Sequence, residues 1–263
     1  MDAGTVEAIK AIVYPLLLSM VRITALFMVV PFYATQFIQG VSRNATLISF
    51  SLILVPMIVP MMPAEPLPVM ELGGIIIKEV IIGALLGYLA GSVFWIAQNI
   101  GFLIDNQRGA TMASVFDPLT GNDTSPFGLM FGRLMVAFFF IGGGFISLLA
   151  VVYGSYEIWP VFSFLPTLKP SFPLFFLQYA DHIIRQTFVL AAPIVILVFL
   201  TEFGFGLINR FAPQLNVFFL SMPVKSAVGL FMLVIYLKYL FSFLQREWVQ
   251  YEVFVETFKH TLT

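Results

Sequence analysis

Apolar residues dominate six long stretches of this chain, and short polar segments separate them. A helix rises about 1.5 Å per residue, so roughly 20 apolar residues cross the roughly 30 Å of hydrocarbon in a bilayer. The pattern predicts an all-α membrane protein with one domain over residues 1–263, built as a bundle of about six long, partly broken hydrophobic helices. The stretches are residues 11–32, 45–62, 73–104, 127–153, 183–208 and 217–244.

A helical pattern continues beyond the last apolar stretch, over residues 245–263. Apolar residues recur there at helical spacing, opposite a row of polar ones. This pattern predicts an amphipathic C-terminal helix that lies at the membrane surface or docks onto a partner. The apolar positions are Trp248, Tyr251, Val255, Phe258 and Leu262, and the polar positions are Gln245, Glu252, Glu256 and Lys259.

The first residues bear on targeting. Asp2, Glu7 and Lys10 precede a full-length apolar stretch. A removable signal peptide instead has a basic start, a short apolar core and a small-residue cleavage site, so we expect the first stretch to be retained. Positive charges lie on both sides of the predicted spans, and those near the chain ends favour cytoplasmic termini.

The composition excludes several classes of function. Hydrophobic residues make up 60% of the chain and charged residues 10%, against about 25% charge in soluble domains. The formal net charge is -1, so no basic field gathers nucleic acid. The chain has no cysteine, and its two histidines, His182 and His260, lie far apart. We therefore expect no cofactor, no catalytic site and no metal site.

Charged residues and prolines interrupt the apolar stretches. A charge costs at least about 2.5 kcal/mol at a bilayer centre, so we expect these charges to pair, to face water or to lie outside lipid. A proline removes a backbone donor and predicts a bend beside a cavity. The charges are Arg22, Lys78, Glu79, Arg133, Arg185, Glu202 and Lys225, and the prolines are Pro15, Pro56, Pro60, Pro193 and Pro223.

Small residues recur along the third apolar stretch. Glu79, Gly83, Gly87 and Gly91 repeat every fourth residue, which places a carboxylate and three positions without side chains on one helix face. Such a face lets a neighbouring helix approach closely. The spacing indicates tight helix assembly and does not identify a cargo.

The polar segment 105–125 joins two long apolar stretches. Its glycines and its Asp-Pro pair favour turns, so we expect the segment to fold back as a re-entrant loop. Apolar residues are interleaved with the polar ones, which an ordinary exposed connector does not require. The residues that define the segment are Asp105, Asn106, Gln107, Arg108, Gly109, Met112, Val115, Phe116, Asp117, Pro118, Gly121 and Asp123.

A second motif, Arg-Phe-Ala-Pro-Gln-Leu-Asn, occupies residues 210–216 and is followed by Lys225-Ser226. Together with Asp105 to Gly109, Asp117-Pro118, Gly121, Asp123 and Ser125, it resembles the export-apparatus family that includes the SctT subunit of injectisomes and its flagellar counterpart FliR. The Asp-Asn-Gln-Arg-Gly run is similar to the injectisome branch, and the motif at 210–216 is similar to the part shared with flagellar members. The resemblance covers essentially the whole chain.

This resemblance implies a core subunit of the type III secretion export gate in the bacterial inner membrane. R-type and S-type subunits would complete the channel, a U-type switch subunit would join it, and unfolded proteins would be the cargo. The helices would be packed against partners and raised toward the periplasm.

The resemblance also implies that segment 105–125 is a pore plug. Met112, Val115 and Phe116 would close the lumen, while Asp105, Arg108 and Asp117 would hold the loop. The residues assigned to assembly or to the pore wall are Glu79, Gly83, Gly87, Gly91, Glu202, Arg210, Pro213, Gln214, Asn216 and Lys225.

Two other functions compete with this interpretation. A stand-alone secondary transporter for a small solute or ion would use Glu79, Glu202 and Lys225 at broken helices, but its paired half-repeats are not visible. An intramembrane enzyme would use Asp105, Asp117 or Glu202 as a general base. No phosphate-binding loop, metal-spaced ligands or activated nucleophile accompanies these acids, so neither an enzyme nor a nucleotide-driven motor is expected.

Overall fold

A computed structural model of the protein describes residues 3–33, 40–63, 67–110, 125–163, 172–212, 214 and 216–262. Every regular element in these ranges is helical, which confirms the prediction of an all-α membrane protein. The α-helices are α1 (Ala3–Val29), α2 (Gly40–Leu52), α3 (Val55–Ile58), α4 (Val69–Arg108), α5 (Pro126–Ile141), α6 (Gly144–Ile158), α7 (Phe172–Phe211) and α8 (Val217–Leu262), and short 3-10 turns occupy Pro31–Tyr33 and Val59–Met61.

Two of the predicted stretches are broken. Residues 45–62 are divided between α2 and the short α3 region, which are bent by 42°. Pro56 lies in the first turn of α3 and Pro60 lies in the 3-10 turn, where a missing N–H ends regular α-helix. Residues 127–153 are divided between α5 and α6 at Gly143, whose φ of 76° is left-handed and favours glycine.

Other helices are longer than predicted. Helix α4 runs to Arg108, so residues 105–108 form its last turn. Helix α7 begins at Phe172, well before the predicted residue 183. Helix α8 continues without interruption through the predicted tail, so residues 245–262 extend a longer helix.

Within the described residues, three helices are long and apolar enough to cross a membrane: Val69–Arg108, Pro173–Phe211 and Phe219–Leu244. Counting each broken pair as one span raises the number to five. The most apolar window of α4 is 67% buried, whereas those of α7 and α8 are 22% buried. Helix α4 is therefore shielded by the chain itself, while α7 and α8 turn most of their apolar surface outward.

The chain divides into two compact units. The first unit contains Met1–Ser92, Gly143–Pro173 and Tyr251–Thr263, and the second contains Val93–Gly142 and Leu174–Gln250. Helix α4 contributes its first part to one unit and its last part to the other. The interpretation of the chain as one domain stays a prediction.

Aromatic side chains fill the core of each unit. In the first unit, the Phe27 ring lies 4.7 Å from the Tyr33 ring and 5.9 Å from the Phe50 ring, joining α1 to α2. In the second unit, the centroids of the Phe94 and Phe139 rings lie 5.1 Å apart, joining α4 to α5. Buried rings of this size contribute large apolar contact areas to these helix contacts.

Candidate functional sites

A buried ion pair joins α1 to α4 in the first unit. Arg22 Nε donates to Glu79 Oε2 over 2.7 Å, and Arg22 Nη2 donates to Glu79 Oε1 over 2.9 Å. Both side chains are 0% exposed. The two parallel bonds form the bidentate geometry in which an arginine–carboxylate pair is strongest.

Both terminal nitrogens of the guanidinium also donate to groups outside the ion pair. Arg22 Nη1 donates to Ser155 Oγ over 2.9 Å, and Nη2 donates to the carbonyl oxygen of Trp159 over 2.9 Å. The Tyr156 ring lies 4.0 Å from the guanidinium carbon, and its hydroxyl donates to the carbonyl oxygen of Ser19. Helix α6 and the residue after it therefore complete the site around the ion pair.

Lys78 extends this cluster. Its Nζ lies 3.0 Å from Glu79 Oε1 and donates to the carbonyl oxygens of Pro160, Val161 and Ser163. These carbonyls follow the end of α6, where no helix bonds them. We call Arg22, Lys78, Glu79 and Ser155 the α1–α4 charge cluster. Its groups bind one another and the backbone, which suits a structural joint rather than a reaction centre.

The expected close helix approach occurs on the glycine face of α4. A Cβ at Gly83 would lie 2.8 Å from the Ala25 Cβ and against the carbonyl oxygen of Arg22. A Cβ at Gly87 would lie 2.7 Å from the carbonyl oxygen of Leu26. The neighbour is α1 of the same chain, and Gly91 is buried one turn further along.

A second buried site lies at the end of α4 in the second unit. Asp105 Oδ1 lies 2.7 Å from both Arg108 Nε and Arg108 Nη2. Asp105 Oδ2 accepts from Ser125 Oγ over 2.6 Å and from the backbone N–H of Phe127 over 2.8 Å. The Arg108 guanidinium carbon lies 4.3 Å from the centroid of the Phe127 ring. We call Asp105, Arg108, Ser125 and Phe127 the loop anchor.

Both helix ends at the loop anchor are capped. Gly109 has φ 83°, its N–H donates to the carbonyl oxygen of Asn106, and the N–H of Ala110 donates to that of Asp105. This is the pair of bonds that closes a helix at a left-handed glycine. Ser125 caps α5 by accepting from the N–H of Gly128 over 3.0 Å. The end of α4 and the start of α5 are therefore tied together by one carboxylate, that of Asp105.

The sequence identified Asp105 and Arg108 but missed most of their partners. Ser125 was recognised only as part of the family motif. No sequence pattern pointed to Phe127 or Gly101. A Cβ at Gly101 would press on the backbone of Phe127 and Gly128, so α5 begins directly against α4. The available signal was Ser125-Pro126 before an apolar run, since serine followed by proline marks a helix start.

The remaining charges differ in their surroundings. Lys225 on α8 lies 3.4 Å from Glu202 on α7, with 5% and 45% of their side chains exposed. Arg133 and Arg185 are exposed and form no ion pair with the described residues. The pairing of Arg22, Lys78, Glu79, Glu202 and Lys225 confirms one of the outcomes expected for charges in apolar stretches.

The second sequence motif lies at the turn between α7 and α8. Arg210 in the last turn of α7, Gln214 and Asn216 are exposed. The carbonyl oxygen of Asn216 accepts from the N–H of Leu220 in the first turn of α8. Several predicted site residues lie outside the described part of the chain: Met112, Val115, Phe116, Asp117, Pro118, Gly121, Asp123 and Pro213.

The described ranges contain no arrangement of side chains suited to metal binding or acid–base catalysis. No group of three or more His, Asp or Glu side chains there could hold a metal ion. Asp105 is 0% exposed, with both oxygens bonded to the loop anchor. Glu79 and Glu202, the acids of the competing transporter and enzyme interpretations, are each paired with a cation.

Known proteins match most of the chain. The family model "Bacterial export proteins, family 1" matches residues 13–251. Yop proteins translocation protein T of Yersinia pestis is 42% identical over 85% of this chain and 85% of its own length. Surface presentation of antigens protein SpaR of Salmonella typhimurium is 31% identical over 83% of this chain and 81% of its own length. Flagellar biosynthetic protein FliR of Bacillus subtilis is 27% identical over 86% of both chains.

Proposed function

Because this chain belongs to the bacterial export proteins, family 1, we propose that it is a core subunit of a type III secretion export gate. The observation that carries the proposal is its 42% identity to Yop proteins translocation protein T over 85% of both chains. Identity to SpaR also exceeds identity to the flagellar FliR protein, which favours the injectisome branch.

In this proposal the chain lines a channel for unfolded proteins across the bacterial inner membrane. R-type and S-type subunits complete the channel, and a U-type subunit associates with it. The outward apolar surfaces of α7 and α8 support such assembly, since large exposed hydrophobic areas mark membrane or protein contacts. Arg133 and Arg185 on exposed faces would then find carboxylates on partners, with the helices raised from lipid.

Copurification tests this role. A tagged chain would be purified in mild detergent from its native host, and copurifying membrane subunits would be identified by mass spectrometry. We expect R-type and S-type subunits in stable amounts. Recovery of the chain alone, under conditions that preserve the complex of a related control protein, would contradict the proposal and favour a self-contained transporter.

We further propose that the segment after α4 plugs the closed channel. A polypeptide channel must hold back ions yet accept many cargo sequences, so a small loop suits the closure better than a selective pocket. The loop anchor supports this role, because a single buried carboxylate joins the two helix ends that precede and follow this segment. Arg210, Pro213, Gln214, Asn216 and Lys225 are proposed to organise subunit contacts or the pore wall.

Removing residues 111–124, with a short Gly-Ser bridge in their place, is expected to raise ion leak through the assembled gate. Ion conductance across cells or reconstituted vesicles would measure the leak, and copurification would establish that assembly is intact. The matched control is a variant in which the same residues are replaced by a Gly-Ser sequence of equal length. An unchanged leak in the shortened but assembled gate would contradict the plug.

Asp105→Ala is expected to raise the leak without removing the loop. It deletes the acceptor for Arg108, Ser125 and Phe127, and a hydrogen bond to a charged group contributes about 1.5–3 kcal/mol. A loss of about 2 kcal/mol would raise the released population roughly thirtyfold. Glu71→Ala, which removes an exposed carboxylate from the same helix, is the control, and equal leak in both variants would contradict the anchoring role of Asp105.

A further inference from the structure

A carboxylate lies within the exposed apolar surface of α7. Four residues at positions i, i+3, i+4 and i+7 share one side of the helix there, namely Phe199, Glu202, Phe203 and Gly206. Phe199 and Phe203 are 55% and 58% exposed, and 45% of the Glu202 side chain is exposed. This side of α7 therefore presents a single charge between aromatic residues.

A buried lysine holds this carboxylate from within the chain. Lys225 Nζ on α8 lies 3.4 Å from Glu202 Oε1, and only 5% of the Lys225 side chain is exposed. Helices α7 and α8 pack closely beside the pair, because a Cβ at Gly229, one turn after Lys225, would lie 3.4 Å from Val198 Cγ2. The ion pair therefore positions the carboxylate at the surface and leaves its outward side open.

The space next to the carboxylate is open as well. Gly206 follows Glu202 by one turn on the same side of α7, and a Cβ there would meet no described atom within 4 Å. The missing side chain leaves a notch in the surface beside Glu202. A long side chain from a neighbouring helix can enter this notch and reach the carboxylate.

The chemistry of the surface specifies what can cover it. The most apolar window of α7 is only 22% buried, and in the proposed assembly partner subunits cover the rest. A carboxylate that loses water without gaining a donor is strongly destabilised, so the covering surface has to place a donor opposite Glu202. Arginine suits this position best, because its guanidinium both donates to carboxylates in a fixed geometry and packs against aromatic rings.

From these observations we propose that Glu202 is the docking point for an arginine on an apolar helix of a partner subunit. The arginine enters the notch at Gly206 and bonds the outward side of the carboxylate. Lys225 is a positioning residue that holds the carboxylate from the inner side. Such docking rests on the proposed assembly of the gate, and it specifies the residue that the partner presents to α7.

Glu202→Gln is expected to speed the loss of partner subunits from the purified complex about thirtyfold, because removing one member of a buried charge pair acts mainly on dissociation. The tagged complex would be held in mild detergent, and the subunits retained per chain would be followed over time by mass spectrometry. Asp181→Asn is the matched control, since it removes an exposed carboxylate from the same helix with the same change of charge. Equal rates of loss in the two variants would overturn the proposal.

A double variant separates docking from the internal ion pair. Glu202→Gln alone leaves the buried Lys225 without this carboxylate, whereas Glu202→Gln/Lys225→Met removes both charges and should keep the melting temperature close to that of the unmodified chain. We expect the double variant still to lose its partner subunits about thirtyfold faster. Retention equal to that of the unmodified chain would mean that Glu202 serves only the internal pair, and the docking role would then be wrong.

Photo-crosslinking would identify the occupant. A photoreactive amino acid in place of Phe203 should crosslink to a partner helix that carries an arginine within about one turn of the crosslinked position. Crosslinks only to lipid, or to a helix without such an arginine, would overturn the proposal. Recovery of the unmodified chain without partner subunits would instead contradict the proposed assembly, whereas an assembled chain that tolerates Glu202→Gln/Lys225→Met would contradict only the arginine docking.

Discussion

Replacing Glu79 with alanine is expected to destabilise the folded chain by about 3–5 kcal/mol, because it leaves buried cations without their carboxylate. Arg22 is 0% exposed and loses two bonds to Glu79, while Lys78 loses its only side-chain ion-pair partner in the described part of the chain. The measurement is the melting temperature of the detergent-solubilised chain, together with its steady-state amount in membranes.

Two controls separate a lost ion pair from a lost charge. Arg185→Ala removes an exposed cation and should change the melting temperature little. Glu79→Gln/Arg22→Met removes both charges of the pair and should recover part of the loss, since an uncharged buried pair avoids the desolvation penalty. A Glu79→Ala chain as stable as the unmodified one would show that the α1–α4 charge cluster does not hold these helices together.

A methyl group at Gly83 should force α1 and α4 apart. In Gly83→Ala the new Cβ would press on the carbonyl oxygen of Arg22 and lie 2.8 Å from the Ala25 Cβ, neither of which can rotate away. Overpacking of this kind costs about 1–3 kcal/mol, and it would also displace Arg22 from Glu79. A reduced melting temperature and faster protease cleavage would measure the effect.

Gly73→Ala is the matched control on the same helix. A Cβ at Gly73 meets nothing within 4 Å, and alanine stabilises a helix interior by up to about 1 kcal/mol relative to glycine. The two variants should therefore shift the melting temperature in opposite directions. Equal shifts would mean that close packing at Gly83 does not limit the approach of α1.

The sequence predicted well which stretches are helical, because local hydrophobic pattern determines this. It predicted helix ends and breaks less well, because tertiary contacts determine them. Apolar stretches of sufficient length predicted α4, α7 and α8, but their ends were placed too early or too late. Asp105 to Arg108 look like loop residues, yet they extend α4 because their side chains and the Gly109 cap satisfy the helix end. Hydropathy also missed the break at Gly143, since both flanking segments are apolar.

The sequence showed which charged residues lie in apolar stretches, but it did not show which of them form ion pairs with each other. Arg22 and Glu79 are 57 residues apart in sequence, and no local pattern indicates that they meet. Ser155 and the carbonyl of Trp159 complete the α1–α4 charge cluster from a third region of the chain. Their contribution follows from the packing of α6, which composition and periodicity do not encode.

The length of α4 sets a limit on how this chain can lie in a bilayer. Forty residues give a contour of about 60 Å, twice the hydrocarbon thickness, and even a tilt of about 40° lets lipid cover only about 40 Å of it. About 20 Å of a predominantly apolar rod must then emerge from the membrane. Water cannot solvate that overhang favourably, so protein must cover it. The 67% burial of the most apolar window of α4 shows that the chain's own helices supply much of this cover.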